Sequence, residues 1–329
     1  MNIALMPRPP VGERPDPQDI ASCIAWVEAR YLCNARDDQF IDYCREVLTV
    51  DAAGLPTAVP VRNPLNGETR GLAVIGESGA GKSVMIRRGL QALPGFREMT
   101  AGADGNYLSL TVSPEATVKS LTNDLLGRTG YGATARKATA HELLGVCRHR
   151  VQSRDVGLIW IDEAHHLLRP GPGRDVAAVL RTLKNLLQGP GAVAVILSGV
   201  PKLNEDLIAD PETDRRFLRQ RLWSLEHDAD VFPTITRFVE ACCDAVGLAG
   251  PEDDHFAHRL VFAENGVMGK ALDLAKGAIR RAIIARSPAL TLDHAGKVFD
   301  LQRGPMRHGP FSAVPWPELK QHLEALGWA

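Results

Sequence analysis

The sequence lacks any hydrophobic run long enough to cross a bilayer, because apolar runs such as residues 192–197 fall far short of the roughly 20 residues that a spanning helix needs. Its first prolines follow too short an apolar segment for a secretory signal. Net charge is also nearly absent, since 38 basic residues are balanced by 39 acidic ones. We therefore expect a cytoplasmic protein with no membrane partner, and the charge balance excludes a uniformly basic coat for nucleic acid.

Cysteine patterns that would indicate a metal site are missing too. The six cysteines form no Cys-x-x-Cys pair and have no histidine at zinc-ligand spacing. Aromatic residues make up only 5% of the chain, but 45% of its residues are hydrophobic, which is typical of a globular protein. With 329 residues, the chain is long enough for two compact domains.

The order of apolar segments predicts an α/β fold with a doubly wound parallel sheet. Short apolar runs alternate with helix-length amphipathic segments, as they do where crossover helices cover both faces of a sheet. The predicted strands are 72–75, 107–112, 158–161, 192–197 and, with a weaker signal, 222–225. After residue 230 helical periodicity replaces these runs, which predicts a smaller carboxyl-terminal α-helical domain.

Proline content and periodicity set the predicted boundaries along the chain. Five of the 22 prolines fall in the first 17 residues, which excludes a helix there. The predicted segments are a proline-rich arm (1–18), an amino-terminal helical segment (19–62), the α/β domain (63–229), the helical domain (230–303) and a proline-rich tail with a terminal helix (304–329). The α/β domain is therefore the largest part of the chain.

A glycine-rich segment after the first predicted strand matches the phosphate-loop pattern G-x-x-x-x-G-K-[ST] in full. Glycines let backbone N–H groups close around phosphates, and the amino terminus of the next helix adds partial positive charge. Lys82 would reach the β- and γ-phosphates, and the Ser83 hydroxyl would bind Mg²⁺. The predicted ATP-binding residues are Gly76, Glu77, Ser78, Gly79, Ala80, Gly81, Lys82, Ser83 and Val84.

Two acids follow the third predicted strand, where the second half of an ATP site is expected. A carboxylate there can hold Mg²⁺ through water, and a neighbouring one can polarise the attacking water. We therefore predict Asp162 as the metal residue and Glu163 as the catalytic base. Ser198, which ends the fourth strand, is predicted to sense the γ-phosphate or orient the water; a turn-forming serine is the alternative.

Residues 162–165 also spell Asp-Glu-Ala-His, the string of a helicase class. A helicase is disfavoured because the chain is too short for two tandem motor domains and shows no second motor half. His165 and His166 are interpreted as residues of a helix start rather than as ligands. A small-molecule kinase is disfavoured as well, since it needs no helical domain after the arginine cluster at 215–221.

With these motifs in place, the chain resembles the AAA+ ATPases over roughly residues 63–300, and more narrowly the transposition ATPases of the TniB, TnsC and MuB kind. The supporting segments are RGLAVIGESGAGKS, SLTVSPEATVKSLTNDLLGRTGYG, GLIWIDEAHHLL, AVILSGVPKL and ENGVMGKALDLAKGAIRRAI. The narrower likeness depends chiefly on S-P-E-x-T-x-K-S-L after the second strand and on the pattern of the helical domain. The resemblance implies an AAA+ phosphate-loop core followed by a helical lid.

The resemblance also implies that ATP lies between subunits and that an arginine of the neighbouring subunit completes the catalytic site. That arginine finger would be Arg221, if the arginine before an apolar residue is matched, or Arg215 or Arg216 if the loop is longer. Lys270 stands where such ATPases often carry a sensor arginine, so it would touch the γ-phosphate as a point charge without a bidentate fork. A surface lysine is the alternative for this position.

Members of the resembled group assemble on duplex DNA, recruit a transposase and are released by hydrolysis. In a chain of net charge −1, basic residues would have to gather locally to contact DNA phosphates. One candidate strip holds Arg128, Arg136 and Lys137, and the other is the helix 270–286. Each strip also fits a merely solvated face.

The function predicted from the sequence is therefore an AAA+ ATPase that hydrolyses ATP at subunit interfaces and forms homo-oligomers, as rings or filaments, on duplex DNA. It would regulate transposase recruitment and target selection, with a transposase and a targeting protein as partners. The alternative is a nucleotide-dependent switch that binds a protein and does not act on DNA. Such a switch would dock through the proline-rich arm or through the tail with Trp316 and Trp328.

Overall fold

The structure is a computed structural model that describes residues 13–132, 139–169, 175–225, 230–306 and 309–328. The chain divides into two compact units. The first, called here the sheet unit, is Asn34–Leu222, and the second, the helical unit, combines the described residues before Asn34 with those from Trp223 onward. The predicted segment 19–62 is thereby divided between the units, and of the predicted arm only residues 13–18 are described.

The strands in the described residues all lie in the sheet unit. Their bounds are β1 Leu48–Val50, β2 Pro56–Pro60, β3 Gly71–Gly76, β4 Tyr107–Thr111, β5 Leu158–Asp162, β6 Ala194–Gly199 and β7 Phe217–Leu222. Strands β1 and β2 pair as an antiparallel hairpin, which the sequence analysis did not predict. The other five form one parallel sheet in the order β4-β5-β6-β3-β7. The predicted α/β fold with a doubly wound parallel sheet is confirmed.

Central strands of this sheet are buried along their whole length. Strands β3, β5 and β6 contain no half-buried or exposed residue, as expected where helices cover both faces. On one face Ile75, Leu110, Ile161 and Leu197 join a single apolar core. The carboxyl ends of β3, β5 and β6 meet at one edge of the sheet, and that edge carries the predicted site residues.

The predicted fifth strand was wrong in position. Of residues 222–225 only Leu222 lies in a strand, because the last strand, β7, ends there and pairs with β3 at the edge of the sheet. Arg219 and Arg221 interrupt the apolar pattern of this strand. Charged residues are common on edge strands because one side of the strand has no partner strand to exclude water. The arginine cluster therefore lies partly on a strand rather than on a helix face.

The helices of the sheet unit cover the sheet and begin at clear capping signals. Their bounds are α2 Ala35–Val47, α3 Lys82–Ala92, α4 Val118–Arg128, α5 Ala140–Ser153, α6 Val176–Leu186, α7 Lys202–Ile208 and α8 Pro211–Asp214, with a 3₁₀ turn at Ala164–His166. Capping boxes at Asn34, Thr117 and Thr139 satisfy the first amide groups of α2, α4 and α5. Local sequence therefore fixes where these helices start.

The helical unit confirms the predicted carboxyl-terminal helices. Its helices are α1 Ile20–Glu28, α9 Val231–Ala245, α10 Phe256–Ala263, α11 Met268–Ile284, α12 Leu292–Arg303 and α13 Trp316–Ala325. Helix α1 shares an apolar core with α9–α12, to which Cys23 and Val27 contribute. In the described residues of both units, no helix is long and apolar enough to cross a membrane.

The carboxyl-terminal tail is fixed to the helical unit by a buried arginine. Arg259 is 1% exposed, and its guanidinium donates to the carbonyl oxygens of Pro310 at 2.9 Å and Val314 at 2.8 Å. Trp316 packs edge-on against Phe262, with ring centroids 5.3 Å apart. Because buried hydrogen bonds and aromatic contacts hold this tail, its tryptophans serve the core of this unit.

We expect Gly157→Ala to lower the free energy of unfolding by about 1–3 kcal/mol, as overpacking of a tight site does. An added Cβ would lie 1.8 Å from the carbonyl oxygen of Ala58, on β2. Gly145, exposed on α5 with no atom within 4 Å of such a Cβ, is the matched control. Its replacement by alanine should raise stability by about 0.5–1 kcal/mol. Urea unfolding of both variants checks this, and equal midpoints would contradict it.

Candidate functional site

The glycine-rich segment forms the turn between β3 and α3. Strand β3 ends at Gly76, and α3 begins at Lys82 with Gly81 as its N-cap. Gly79 and Gly81 have φ angles of +83° and +90°, in the left-handed region that glycine adopts without steric cost. An added Cβ at Gly76 would lie 3.0 Å from Cβ of Leu222. Glycine is therefore required here both by the turn and by the neighbouring strand.

The remaining predicted loop residues differ in exposure. Glu77, Ser78, Gly79 and Val84 are exposed, Ala80 is buried and Ser83 is half-buried. Ser83 lies in the first turn of α3, where the helix dipole favours a bound anion and a hydroxyl can reach a metal beside it. The exposed backbone of this turn is accessible to a ligand.

Lys82 is buried, and its ammonium group bonds to the loop itself. Its Nζ donates to the carbonyl oxygens of Gly76 at 2.8 Å and Glu77 at 2.9 Å. Burial lowers the pKa of Lys82, while the nearby carboxylates of Glu163 and Asp162 partly oppose that shift. These electrostatic interactions bring the phosphate loop and the acidic pair into one site. A partly desolvated ammonium group is a strong point charge for a phosphate.

Asp162 ends β5 and is held by a chain of buried hydrogen bonds. The Ser198 hydroxyl, fully buried at the end of β6, donates to Oδ1 of Asp162 at 2.6 Å. The indole Nε1 of Trp160 donates to Ser198 Oγ at 2.9 Å. Trp160 and Asp162 share a face of β5 because side chains alternate along a strand. The predicted metal residue is therefore oriented by two neighbours on the sheet.

Glu163 leaves the strand in a strained backbone conformation. Its φ is +55°, uncommon for a residue with a side chain, and its N–H donates to Asp162 Oδ1 at 3.0 Å. Oε2 of Glu163 lies 3.3 Å from Nδ1 of His165. Burial, together with the positive groups nearby, lowers the pKa of His165 to about 4, so this imidazole is neutral at pH 7. The contact is therefore not an ion pair at that pH.

Arg216 and Arg219 of the arginine cluster form ion pairs within the sheet unit. Arg216 is buried, pairs with Glu68 at 3.0 Å and donates to the carbonyl oxygen of Glu212. Arg219 pairs with Asp214 at 2.5 Å. Breaking the contacts of a buried arginine is costly, because its charged or polar partners would remain partly buried without an opposite charge. Both side chains are therefore held by partners within the sheet unit.

Arg215 and Arg221 are exposed and lie toward opposite ends of β7. Arg221 pairs in register with Ile75, beside the strand end that opens into the phosphate loop. Arg215 follows α8 as its C-cap, before the amino end of β7. Six residues along a strand span about 20 Å. Arg221 therefore lies near the carboxyl ends of the strands, with the phosphate loop, and Arg215 lies near their amino ends.

The first predicted DNA strip is only partly described. Arg128 is exposed at the end of α4, but Asp124, one helical turn earlier, interacts with it electrostatically. Arg136 and Lys137 lie outside the described residues. The acid reduces the local positive charge that the strip was expected to provide.

The second strip is on α11 in the helical unit. Lys276 donates to the carbonyl oxygens of Glu28 at 3.0 Å and Arg30 at 2.7 Å, so it serves to hold α1 against α11. Lys270 is exposed in the first turn of α11. A contact of Lys270 with a γ-phosphate stays a prediction.

A family model identifies the part of the chain that carries this geometry. Residues 66–207, from just before β3 into α7, match the model of an AAA domain. This segment of the chain is therefore similar to an AAA domain. Its span includes the phosphate loop, the acidic pair and Ser198, and leaves the arginine cluster and the helical unit outside. The narrower likeness to transposition ATPases stays a prediction, and no curated protein matches the sequence.

Solved structures extend the likeness beyond the AAA domain. Against the Aeropyrum pernix ORC2 protein in its ADPNP-ADP complexes, identity is 12% and the TM-score 0.54, over 83% of this chain and 70% of that one. Against the ORC1 protein of the same organism in complex with DNA, the values are 15% and 0.55, over 84% and 67%. Cdc6p of Pyrobaculum aerophilum gives 14% and 0.53, over 82% and 69%. The AAA+ phosphate-loop fold is thereby confirmed.

The donors at the AAA domain's sheet edge fit a nucleoside triphosphate with Mg²⁺. Hydroxyl and carboxylate oxygens at Ser83 and Asp162 are ligands that Mg²⁺ prefers, and the left-handed glycines suit a loop around phosphates. Sequence reasoning missed Trp160, whose indole orients Ser198. Its position two residues before Asp162 on a strand was the available signal, because such residues share a face.

Proposed function

We propose that the protein binds and hydrolyses ATP at interfaces between its own subunits, forms oligomers on duplex DNA, and regulates transposase recruitment and target selection in DNA transposition. The ATPase part rests on one observation, the chain of contacts that gathers Lys82, Asp162, Glu163 and Ser198 at one edge of the sheet. ATP and Mg²⁺ are the cofactors that this set of donors favours.

Each side chain has a distinct role in the proposed hydrolysis. Lys82 would exchange its carbonyl partners for the β- and γ-phosphate oxygens, where its charge is worth more. Ser83 and Asp162 would hold Mg²⁺, which neutralises charge on the phosphates when bound. Glu163 would orient the attacking water and accept its proton. Ser198 acts through Asp162 and is therefore a positioning residue.

Arg215 is the arginine finger in this proposal. It is exposed, and its distance from the phosphate loop of its own subunit prevents it from acting there. A neighbouring subunit that packs against this edge would receive Arg215 in its ATP site. Arg221 lies beside the phosphate loop of its own subunit, and Arg216 is paired with Glu68.

Arg215→Ala should lower ATP turnover by about 100-fold or more, because a finger contributes about 10³–10⁵ to the rate where it acts. Arg215 acts in trans, so mixing this variant with Glu163→Gln subunits, which retain Arg215, ATP binding and assembly, should restore part of the activity. Steady-state phosphate release measures both effects. Arg181, exposed on α6, is the control, and its replacement by alanine should leave turnover unchanged. If the mixture recovers no activity, Arg215 acts on the ATP site of its own subunit and is not a finger.

Support for DNA binding comes from two sources. The segment S-P-E-x-T-x-K-S-L and the pattern of the helical unit resemble transposition ATPases, and a similar solved structure is an ORC1 protein in complex with DNA. With a net charge of −1, one subunit offers few basic contacts. Repetition in an ATP-dependent oligomer would multiply them, and the binding would depend strongly on salt.

We expect the full-length protein with Mg²⁺ and a non-hydrolysable ATP analogue to form large assemblies on duplex DNA, and to stay small without nucleotide. Negative-stain imaging and light scattering measure the assembly, and a salt titration measures the affinity. Arg128→Ala should reduce the salt dependence by about one phosphate contact per subunit, whereas Arg181→Ala should not. Monomers under all conditions would contradict the assembly, and no DNA binding at low salt would favour a protein-binding switch.

The protein-binding switch remains the second candidate. Two observations support it, because both weaken the predicted DNA strips. Asp124 lies near Arg128, and Lys276 donates its hydrogen bonds to carbonyl groups within the helical unit. The tail argues against this function, because Trp316, a predicted docking residue, is buried against Phe262 in the helical unit. The salt titration separates the two functions directly.

A further inference from the structure

A second set of ligand atoms includes the carboxylate of the proposed catalytic base. Glu163, His165 and His166 each offer one oxygen or nitrogen atom, and these atoms lie within 4.8 Å of one another. The three residues follow the end of β5 on the left-handed turn and the 3₁₀ turn that succeeds it. A short, tightly wound segment therefore brings two imidazoles and a carboxylate together without help from a distant element.

One pair of these atoms already has the spacing that a tetrahedral metal ion requires. Zn²⁺ binds histidine nitrogen and carboxylate oxygen at about 2.0–2.2 Å, so neighbouring ligand atoms lie about 3.4 Å apart. Glu163 Oε2 and His165 Nδ1 are already 3.3 Å apart. The imidazoles of His165 and His166 have ring centroids 4.1 Å apart. All three ligand atoms lie within 4.8 Å of one another, so side-chain rotations would have to bring the third ligand to the same spacing.

His165 points a buried nitrogen into this group. Its side chain is 8% exposed, and Nδ1 has no hydrogen bond of acceptable geometry. Gly199 is close to the same nitrogen, since an added Cβ there would lie 3.2 Å from Nδ1. A buried polar atom without a hydrogen bond is costly, and a metal ligand role satisfies it. The glycine leaves space on the side where a larger residue would press on the ring.

We propose that Glu163, His165 and His166 form a binding site for a divalent d-block cation of the zinc class. Two imidazoles and one carboxylate form the kind of set that catalytic zinc sites use, with water as the fourth ligand. Mg²⁺ prefers oxygen ligands and would choose Ser83 and Asp162 instead. The site is therefore chemically distinct from the proposed Mg²⁺ site, although both adjoin the same sheet edge.

Occupation of this site removes Glu163 from hydrolysis. A carboxylate that is a metal ligand cannot also accept the proton of the attacking water. Nucleotide binding would be retained, because Lys82 and the glycine turn take no part in the metal site. The cation would therefore hold the protein in its ATP-bound state. This consequence rests on the proposed ATPase function, whereas the metal site itself does not.

Binding of Co²⁺ to the full chain, with any affinity tag removed and without nucleotide, tests the site by the visible absorption of tetrahedral Co²⁺. We expect one Co²⁺ per chain, displaced by Zn²⁺. His166→Asn should weaken the Co²⁺ affinity by more than about 100-fold. Loss of a group that only hydrogen-bonds to a metal ligand already costs about 10–100-fold, and His166 is itself a ligand. His149→Asn, at an exposed histidine on α5, is the matched control and should bind as the wild type does.

Two further variants separate this site from its surroundings. Ser83→Ala should retain Co²⁺ binding, since Ser83 serves only the proposed Mg²⁺ site, and Glu163→Gln should lose it. Zn²⁺ should lower ATP turnover by about 100-fold in the wild type and leave His166→Asn largely uninhibited. Calorimetry with the ATP analogue should show that Zn²⁺ leaves nucleotide affinity unchanged.

The outcomes separate the site from its effect. Equal Co²⁺ binding by His166→Asn and His149→Asn, or absence of tetrahedral Co²⁺ in the wild type, would overturn the metal site. Co²⁺ binding in a protein with no ATP turnover would overturn the proposed hydrolysis and the control of it, while the metal site would stand. Equal inhibition of the wild type and His166→Asn by Zn²⁺ would assign the inhibition to another site. It would overturn the proposed control of hydrolysis by this metal site.

Discussion

Glu163→Gln should lower ATP turnover by about 10²–10⁴-fold and leave ATP binding intact, because an amide cannot accept the proton of the attacking water. The side chains are nearly equal in size, and the backbone hydrogen bond to Asp162 does not involve the replaced atoms. Nucleotide-bound assemblies should therefore persist on DNA instead of dissociating. Phosphate release measures the rate, and light scattering over time measures the lifetime of the assembly.

Glu205→Gln is the matched control for this variant. Glu205 is an exposed acid on α7, paired with Lys202, and its replacement should change neither turnover nor assembly. Wild-type turnover in Glu163→Gln would contradict the assignment of Glu163 as the base. Loss of nucleotide binding in the same variant would indicate a role in the site's structure instead.

Lys82→Ala should weaken ATP binding by about 100-fold and abolish assembly. The ammonium group would make two charge-assisted hydrogen bonds to phosphate oxygens, each worth about 1.5 kcal/mol or more, and about 1.4 kcal/mol corresponds to a factor of ten. Calorimetric titration with the ATP analogue measures the affinity. Thermal unfolding without nucleotide measures the stability, which should change little because removal of the partly desolvated charge offsets the two lost contacts.

Lys202→Ala provides the comparison for Lys82→Ala. Lys202 is exposed on α7 and forms ion pairs with Glu205 and Asp206, so its loss should alter stability only slightly and ATP affinity not at all. A large fall in the unfolding temperature of Lys82→Ala would mean that its lost affinity reports unfolding. Unchanged affinity would contradict the phosphate role.

The phosphate loop and the strands around it could be predicted from the sequence because their signals are local. The turn between β3 and α3 is determined by contiguous residues, since glycine at Gly79 and Gly81 permits the left-handed φ angles and Lys82 follows at once. Strands that are buried on both faces have continuous apolar sequences, as β5 and β6 do, and these runs are visible in the sequence. The AAA+ fold follows from the order of these signals.

The position of the last strand could not be predicted as well, because its evidence is not local. Strand β7 contains Arg219 and Arg221, and pairing with β3 outweighs the weak strand signal of those residues. The hairpin of β1 and β2 was missed for a different reason, since its strands of 3 and 5 residues are too short to show a clear alternation. Edge strands and short hairpins depend on partners that are distant in sequence or on turns of low specificity.

The phosphate loop and the acidic pair could be predicted from the sequence because each depends on residues adjacent in the chain, whereas the sequence did not show that helix α1 belongs to the helical unit. The pairing of Arg216 with Glu68 and the hydrogen bonds that orient Asp162 are evident only in the folded structure. It also brought out the ligand spacing between Glu163 and His165. Distances between side chains are set by strand pairing and backbone turns, and a linear pattern of residue types does not contain them.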